Sequence, residues 1–335
     1  MRSAFGTTFD VPLGYLNTAS VGVPPTPTAD AVADAVRRWT VGADGPGAAD
    51  GHAATARGAF GRLVGVPSER VAMGASASQL VALVAAGLPA DASVLVARGE
   101  FTSLTFPFAA RGLRVTEVDL DEVVAEAGRH DLVAVSVVQS ADGRIVDLDG
   151  LRATGVPVLL DASQAVGWLP LDLGWADWVV AIGYKFLMSP RGCAWLACSP
   201  SALERTVPVA ANWHAGEDPW STVYGLPLRL APDARRLDLS PVWLSQFGAA
   251  VSLPYLASLD LAAVRDHAVG LADSLLSALG QAPRGSAIVS LDLPAAADRL
   301  AAAGVRSSIR AGRVRLAFHL YNTAEDVDQV LRALA

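Results

Sequence analysis

Lysine is almost absent from this sequence. Lys185 is the only lysine among 26 basic residues, and all the others are arginines. A guanidinium pairs with anions at least as well as an ammonium group, but only a primary amine can lose its proton and attack a carbonyl carbon. Lys185 is therefore a candidate for covalent chemistry with a carbonyl compound. The alternative, a compositional drift from lysine to arginine that left one survivor, stays open at this point.

Other absences exclude several classes of protein. The formal net charge is -7 and no run of basic residues offers a phosphate footprint, so nucleic-acid binding is not expected. The apolar runs are too short to cross a bilayer and the first residues do not read as a secretory signal, so we expect no membrane partner. Two cysteines, Cys193 and Cys198 in "CAWLAC", match neither a metal motif nor a disulfide framework. We expect buried free thiols, no metal and a cytoplasmic location.

The pattern of apolar residues predicts an α/β fold. Of the 335 residues 52% are hydrophobic, which allows a substantial core. Short apolar runs alternate with Ala-rich amphipathic segments, which predicts a three-layer αβα domain with a mostly parallel sheet covered on both faces. The strands of this sheet are predicted at 93–98, 113–119, 131–139, 156–163 and 176–183, with helices at 28–43 and 77–88.

A second, smaller unit is predicted at the C-terminal end. Its elements are a strand at 286–293, a helix at 294–304, strands at 305–311 and 313–320, and a helix at 324–335. We place the boundary near residue 250, so that a large domain covers 1–250 and a small α+β domain covers 251–335.

Polar residues follow two of the predicted strands. Asp161 ends the apolar run "VPVLLD" and is followed by Gln164, while Lys185 follows the run "WVVAIG". A third motif, "GASASQL" (74–80), opens a helix. Ligands collect at the carboxyl ends of strands in open α/β sheets, and a helix N-terminus binds phosphate. Taken singly, Asp161 could equally be a capping residue and "GASASQL" an ordinary capped helix.

Taken together, the motifs resemble those of the class-V aminotransferases. This family has fold type I, the aspartate aminotransferase fold, uses pyridoxal 5'-phosphate, and includes cysteine desulfurases and kynureninases. The resemblance covers nearly the whole chain. It rests on "YLNTASVGVPP" (15–25), "LLDASQAVG" (159–167), "YKFLMSPRG" (184–192) and "RLAFHLYNTAEDVD" (315–328).

The resemblance implies roles around the cofactor ring. Lys185 would form a Schiff base with the cofactor aldehyde and later carry the α-proton of the substrate. Asp161 would pair with the pyridinium nitrogen, and Gln164 would lie beside the phenolic oxygen. Phe101 falls where the family places an aromatic residue against the ring, although a plain core phenylalanine is the alternative.

Further roles concern the phosphate and the substrate. The cofactor phosphate would bind to the segment 76–78, which consists of Ser76, Ala77 and Ser78, and to the hydroxyl of Tyr184. Ser240 would reach the phosphate bound by the other subunit of a homodimer. Arg310, in "SSIRAG", would bind the substrate α-carboxylate, unless it is an exposed arginine on an edge strand. Asn17 and His214 are further substrate-binding candidates, with a structural interface loop as the alternative for His214.

The reaction is less defined than the cofactor. No cysteine occurs after Cys198 and "RAG" runs directly into "RVRLAFHL", so the catalytic cysteine loop of desulfurases is missing and that activity is not expected. The leading hypothesis is an aminotransferase acting on a small α-amino acid. A β-lyase that cleaves a cysteine-derived C–S bond is second, and a kynureninase is third. A non-catalytic cofactor-binding protein predicts a degraded lysine–aspartate pair, and both residues are intact.

Overall fold

The computed structural model describes residues 1–293 and 295–335. Its strands are β1 Arg2–Ala4, β2 Thr7–Phe9, β3 Val71–Gly74, β4 Ser93–Ala97, β5 Arg114–Val118, β6 Leu132–Ser136, β7 Val158–Asp161, β8 Trp178–Ile182, β9 Ala194–Cys198, β10 Ile288–Leu291, β11 Ser308–Arg310 and β12 Arg313–Ala317. Its helices are α1 Thr26–Thr40, α2 Asp50–Val64, α3 Ala77–Gly87, α4 Thr102–Ala110, α5 Val123–Glu126, α6 Leu148–Thr154, α7 Pro200–Arg205, α8 Trp243–Ala257, α9 Leu261–Ala278, α10 Ala296–Ala302 and α11 Ala324–Leu334. Pro294, with which one predicted helix begins, lies outside the described residues.

A seven-stranded sheet forms the centre of the molecule. Its order is β3-β9-β8-β7-β6-β4-β5. The pairs from β8 to β5 are parallel, whereas β9 runs antiparallel to both β3 and β8. The predicted mostly parallel sheet is therefore confirmed, and the strands β3 and β9 add to the five that the sequence predicts.

Both faces of this sheet are buried along its inner strands, whereas the edge strand β5 is largely exposed. Along β8, Val179 and Ala181 belong to one hydrophobic core, while Trp178, Val180 and Ile182 belong to a second core on the opposite face. Successive side chains of a strand point to opposite faces, so a strand with no polar position needs cover on both sides. Residues of α2 and α8 contribute to the first core, and residues of α3 and α4 to the second. This arrangement confirms the predicted three-layer architecture.

The C-terminal part forms a separate small sheet, to which the N-terminal segment is tied. Its order is β10-β12-β11, with both pairs antiparallel. The backbone N–H of Leu16 donates to the Arg306 carbonyl, and that of Ala317 donates to the Leu16 carbonyl. Further along, the N–H of Gly22 donates to the carbonyl of Tyr184 at 2.9 Å. The segment 14–22 therefore runs from the small sheet to the loop that follows β8.

The division into domains stays a prediction, with an adjusted position. Residue 250 lies inside α8, a helix that packs against α1 and α2 of the large domain. A boundary at residue 250 would split one continuous helix. We therefore propose that the division falls in the turn at 258–260, between α8 and α9.

Among the described residues, no single helix is both long and apolar enough to cross a membrane. The helices α8 and α9 reach that length and apolarity only as a pair, which is bent by 92°.

Candidate active site

Lys185 lies in a buried loop beyond the end of β8. Only 7% of its surface is exposed, and its carbonyl oxygen is covered by Gly22. A Cβ atom at position 22 would lie 2.0 Å from that oxygen, so this crossing requires glycine. The pKa of Lys185 is lowered to about 8, mainly by burial and to a lesser extent by the guanidinium groups of Arg315 and Arg310, against the opposing charge of Asp161. At about pH 7 the amine is uncharged in roughly a tenth of the molecules, a far larger fraction than for an ordinary lysine.

Asp161 is the last residue of β7, in the middle of the large sheet. It is in register with Ser136 of β6 and Val180 of β8, and it is buried. Its Oδ1 accepts a hydrogen bond from the N–H of Ser163 at 2.8 Å, whereas Oδ2 has no donor among the described residues. One carboxylate oxygen is thus held by the backbone and the other is available to a ligand.

Two neighbouring cavities share Lys185 as a lining residue. The inner cavity, about 160 Å³, contains Asp161 and Lys185, and the outer cavity, about 720 Å³, leads from Lys185 toward α1. Their shared lining residues are Phe101, Ser140, Tyr184, Lys185 and Arg191. The ends of β7 and β8 therefore bring Asp161 and Lys185 to one cavity.

The N-terminus of α3 opens on the inner cavity. Ser76 is the N-cap residue of this helix, where its hydroxyl accepts from the N–H of Gln79, and Ser76, Ala77 and Ser78 all line the cavity. The first N–H groups of a helix have no partner within the helix, and they carry a partial positive charge. The segment 76–78 can therefore bind an anion.

Gln164 and Phe101 lie at the inner cavity from two other sides. The Nε2 of Gln164 donates to the carbonyl of Ala19 and to the hydroxyl of Ser140, both at 3.1 Å, while its buried Oε1 has no partner among the described residues. The ring of Phe101 is 46% exposed and its centroid lies 5.3 Å from the Nζ of Lys185. This placement does not fit the alternative of a plain core phenylalanine.

The most buried arginine of the site is Arg315, which the sequence-based assignment passed over. Only 1% of its surface is exposed, its Nη1 donates to the Ser140 carbonyl, and its Nη2 donates to the Ser20 hydroxyl at 2.8 Å. No carboxylate lies within 4 Å of it among the described residues. Burial and the nearby Arg310 lower its pKa to about 10, so it stays charged at neutral pH. A buried cation without a counter-ion is costly, which points to a site for an anionic ligand.

Arg310 lines the outer cavity on the rim beside Arg315. It is half-buried on β11, and its Nη2 lies 3.4 Å from the Ser20 hydroxyl. A sequence signal for the deeper arginine existed, because Arg315 is the first residue of the motif "RLAFHLYNTAEDVD".

Three other candidates lie outside both cavities. Asn17 is half-buried in a bridge to Ala317 of the small sheet. His214 is buried between two carboxylates, 3.6 Å from Asp50 and 3.7 Å from Asp238. Ser240 is exposed on the surface. Within one chain, the structure therefore does not bring these residues to the site, and their predicted roles stay predictions.

Glu100, next to Phe101 in sequence, is a buried carboxyl that the sequence did not single out. It accepts hydrogen bonds from the N–H and the hydroxyl of Ser136 and from the Nε2 of Gln139. Burial raises the pKa of Glu100 to about 7, and the charge of Asp161 adds to the effect. Ser136 is in register with Asp161, so a second carboxyl group underlies the site one strand away from the aspartate.

The raised pKa of Glu100 makes the stability of the protein depend on pH. A carboxyl whose pKa is raised in the folded state favours folding below its unfolded pKa, near 4, and loses this contribution as the pH rises through about 7. Up to about 3 kcal/mol is lost across this window. In the wild type, the urea concentration at which half of the protein is unfolded should fall between pH 5 and pH 8. In Glu100→Gln this fall is expected to be smaller. The exposed variant Glu117→Gln serves as the control, and an unchanged slope in Glu100→Gln would contradict this assignment.

Comparison with known proteins places the chain in a family. The model of the family "Aminotransferase class-V" matches residues 53–296, which is most of the chain. The chain belongs to the class-V aminotransferase family. It is 26% identical to the isopenicillin N epimerase of Streptomyces clavuligerus, over 83% of both chains, and 26% identical to an uncharacterized aminotransferase, YcbU, of Bacillus subtilis, over 84% of this chain and 82% of that one.

Solved structures of other proteins show the same fold. A cystine C-S lyase, C-DES, in complex with cysteine persulfide superposes with a TM-score of 0.85 at 18% identity, covering 96% of this chain and 97% of that one. An apo cysteine desulfurase of Thermococcus onnurineus superposes with a TM-score of 0.82 at 19% identity, covering 96% and 94%. The predicted fold type I is confirmed.

The cofactor of this class-V protein is pyridoxal phosphate, and the residues of the inner cavity fit it. The unpartnered N–H groups at the start of α3 suit its phosphate, and the free Oδ2 of Asp161 suits its ring nitrogen. Gln164 also lines this cavity, and its buried Oε1 has no donor among the residues that the structure describes. The amine of Lys185 lies in the same cavity, within reach of the ring of Phe101.

Proposed function

We propose that this protein is an aminotransferase that acts on the α-amino group of an amino acid, with Lys185 as the base that moves the Cα proton. The observation that carries the proposal is the placement of Lys185, the only lysine, as a buried amine in the same cavity as Asp161. When bound, pyridoxal phosphate withdraws electrons from the substrate Cα and weakens its bond to hydrogen. The lowered pKa of Lys185 makes its amine a base near neutral pH, which is what proton transfer requires.

Arg315 is proposed to bind the substrate α-carboxylate, in place of Arg310. Arg315 is the more buried of the two and is held in position by Ser140 and Ser20, and its charge also acts more strongly on Lys185. A planar guanidinium forms two parallel hydrogen bonds with a carboxylate, which orients the substrate. The charge of Arg310, on the rim, would attract an anionic substrate over a longer distance.

Different residues of the inner cavity would hold different parts of the cofactor. The Asp161 carboxylate would hold a proton on the ring nitrogen, which sustains electron withdrawal from the substrate. The segment 76–78 would hold the phosphate and Gln164 the phenolic side of the ring. The ring of Phe101 would cover one face of the cofactor, an interaction worth about 0.5–1.5 kcal/mol beyond its buried area.

A β-lyase acting on a cysteine-derived C–S bond is the second candidate, since it uses the same proton removal and needs no enzyme thiol. Burial raises the pKa of both Cys193 and Cys198 to about 12, so neither thiol is ionised at neutral pH. Neither cysteine is among the described residues that line the inner and the outer cavity. Persulfide chemistry needs a thiolate near the substrate, so a desulfurase mechanism is not supported.

The two relatives named above are named after different reactions, epimerisation and amino transfer. Both reactions begin with the breaking of the Cα–H bond. The test is therefore a panel of amino acids in D2O with the cofactor-loaded protein. We expect Cα deuterium exchange with at least one amino acid, and amino transfer to an added α-keto acid. Pyruvate, ammonia and a released thiol from cysteine conjugates would favour the lyase. An absence of Cα exchange across a broad panel would contradict the proposed function.

We propose a homodimer located in the cytoplasm. The loop between α7 and α8 exposes a group of large apolar side chains, among them Tyr224 at 93% and Leu226 at 90% exposure. An exposed apolar patch of this kind is typical of an interface. Free buried thiols suit a reducing compartment. Sedimentation of the purified protein tests the dimer, and a monomer at micromolar concentration would contradict it.

A further inference from the structure

The phosphate end of the inner cavity has few cations. The residues of the segment 76–78 and the nearby Ser103 are uncharged. A phosphate ester carries a charge of about -1.5 to -2 at neutral pH, and a helix N-terminus supplies about half a positive charge. Among the described residues that line this cavity, the cations are Lys185 and Arg191. Lys185 is assigned to the proton and the covalent link, so Arg191 is the remaining cation.

The backbone of Arg191 is held against α8. Its carbonyl accepts a hydrogen bond from the hydroxyl of Ser245 at 2.7 Å. Two residues earlier, the hydroxyl of Ser189 pairs with that of Ser252 at 2.7 Å. The next residue, Gly192, has a φ of 110°, and a Cβ there would lie 2.8 Å from the Ser245 hydroxyl. The loop after Lys185 is therefore anchored to the helix, which limits where the arginine side chain can reach.

The side chain of Arg191 lies over an aromatic ring of the site. Its guanidinium carbon is 5.1 Å from the ring centroid of Tyr184, and both residues line the inner and the outer cavity. No carboxylate lies within 4 Å of Arg191 among the residues that the structure describes. A guanidinium stacked on a ring keeps its N–H donors free at the edge of the stack.

We propose that Arg191, positioned by the ring of Tyr184, binds the phosphate of the cofactor. Together with the N–H groups of the segment 76–78, its guanidinium balances the charge of the phosphate. The inference rests on the proposed orientation of the cofactor, with its phosphate at the start of α3, and is independent of the reaction that follows.

The test compares two ligands that differ only in the phosphate. Cofactor-free protein is titrated with pyridoxal phosphate and, separately, with pyridoxal, and the two Kd values are measured by absorbance. Arg191→Gln is expected to weaken pyridoxal phosphate binding by roughly 10- to 100-fold, the range for one charge-assisted hydrogen-bonded contact, and to leave the Kd of pyridoxal unchanged. Arg191→Lys keeps the charge without the fork of donors, so it is expected to fall between the two.

Arg205→Gln is the matched control. Arg205 also lies over an aromatic ring, 5.2 Å from the ring centroid of Trp178, but it lines neither cavity, so its replacement is expected to leave both Kd values unchanged. If Arg191→Gln keeps the wild-type preference for pyridoxal phosphate, the proposed role of Arg191 is wrong, but the phosphate site at the start of α3 is not contradicted. Equal weakening of both ligands in Arg191→Gln also overturns that role. A wild-type protein with no preference for pyridoxal phosphate over pyridoxal contradicts the phosphate site itself.

Discussion

Replacing Lys185 with alanine is expected to lower turnover by about 10²- to 10⁴-fold, the contribution of a positioned general base. The chain contains no other lysine, so no second side-chain amine can take over the role. The measurement is turnover of the best amino acid from the D2O panel at saturating cofactor and substrate, with binding of the cofactor followed separately. Loss of turnover with the cofactor still bound assigns Lys185 to the chemical step.

Lys185→Arg separates the charge of the residue from its chemistry. The variant keeps a cation in the buried loop, but a guanidinium does not give up its proton near neutral pH. We therefore expect Lys185→Arg to be as inactive as Lys185→Ala. Turnover near the wild-type rate in Lys185→Arg would mean that the residue acts only through its charge, and would contradict the proton-transfer role.

Replacing Arg315 with alanine is expected to cost about 2–5 kcal/mol of transition-state binding, which is roughly 30- to 4000-fold in kcat/KM. The reason is its burial, because a substrate carboxylate placed beside Ser140 and Ser20 without its cation would be desolvated and unpaired. The measurement is kcat/KM for the best substrate, together with the thermal stability of each variant.

Arg310→Ala is the matched comparison, because Arg310 lies on the rim of the same cavity. Its side chain is half-buried, and it donates to the carbonyl of the adjacent Ile309 at 2.7 Å and only at 3.4 Å to the Ser20 hydroxyl, so we expect a loss of about tenfold or less. A larger loss in Arg310→Ala than in Arg315→Ala would reverse the assignment and restore the role that the sequence alone suggests for Arg310.

Local sequence patterns predicted the elements that carry the site. The apolar runs before Asp161 and Lys185 form β7 and β8, because residues with no polar position along the strand suit a sheet covered on both faces. "GASASQL" opens a helix with Ser76 as its N-cap, because a hydroxyl there satisfies a free N–H group. Each of these features depends on neighbours in sequence, which is why the sequence was sufficient.

Features that depend on distant contacts could not be predicted in the same way. The position of β3 at the sheet edge, antiparallel to β9, is set by pairing between residues more than 100 apart in sequence. The choice between Arg310 and Arg315 depends on which side of the hairpin faces Ser20 and Ser140, and these two serines come from other parts of the chain. Local propensity carries no information on such partners.

The most direct test of the role of Lys185 is borohydride reduction of the protein loaded with pyridoxal phosphate, followed by peptide mapping by mass spectrometry. Reduction fixes a cofactor to the amine that holds it. We expect one modified peptide, which contains Lys185. A modified N-terminal amine with Lys185 unmodified, or no modified peptide in a protein that binds the cofactor, would contradict that role.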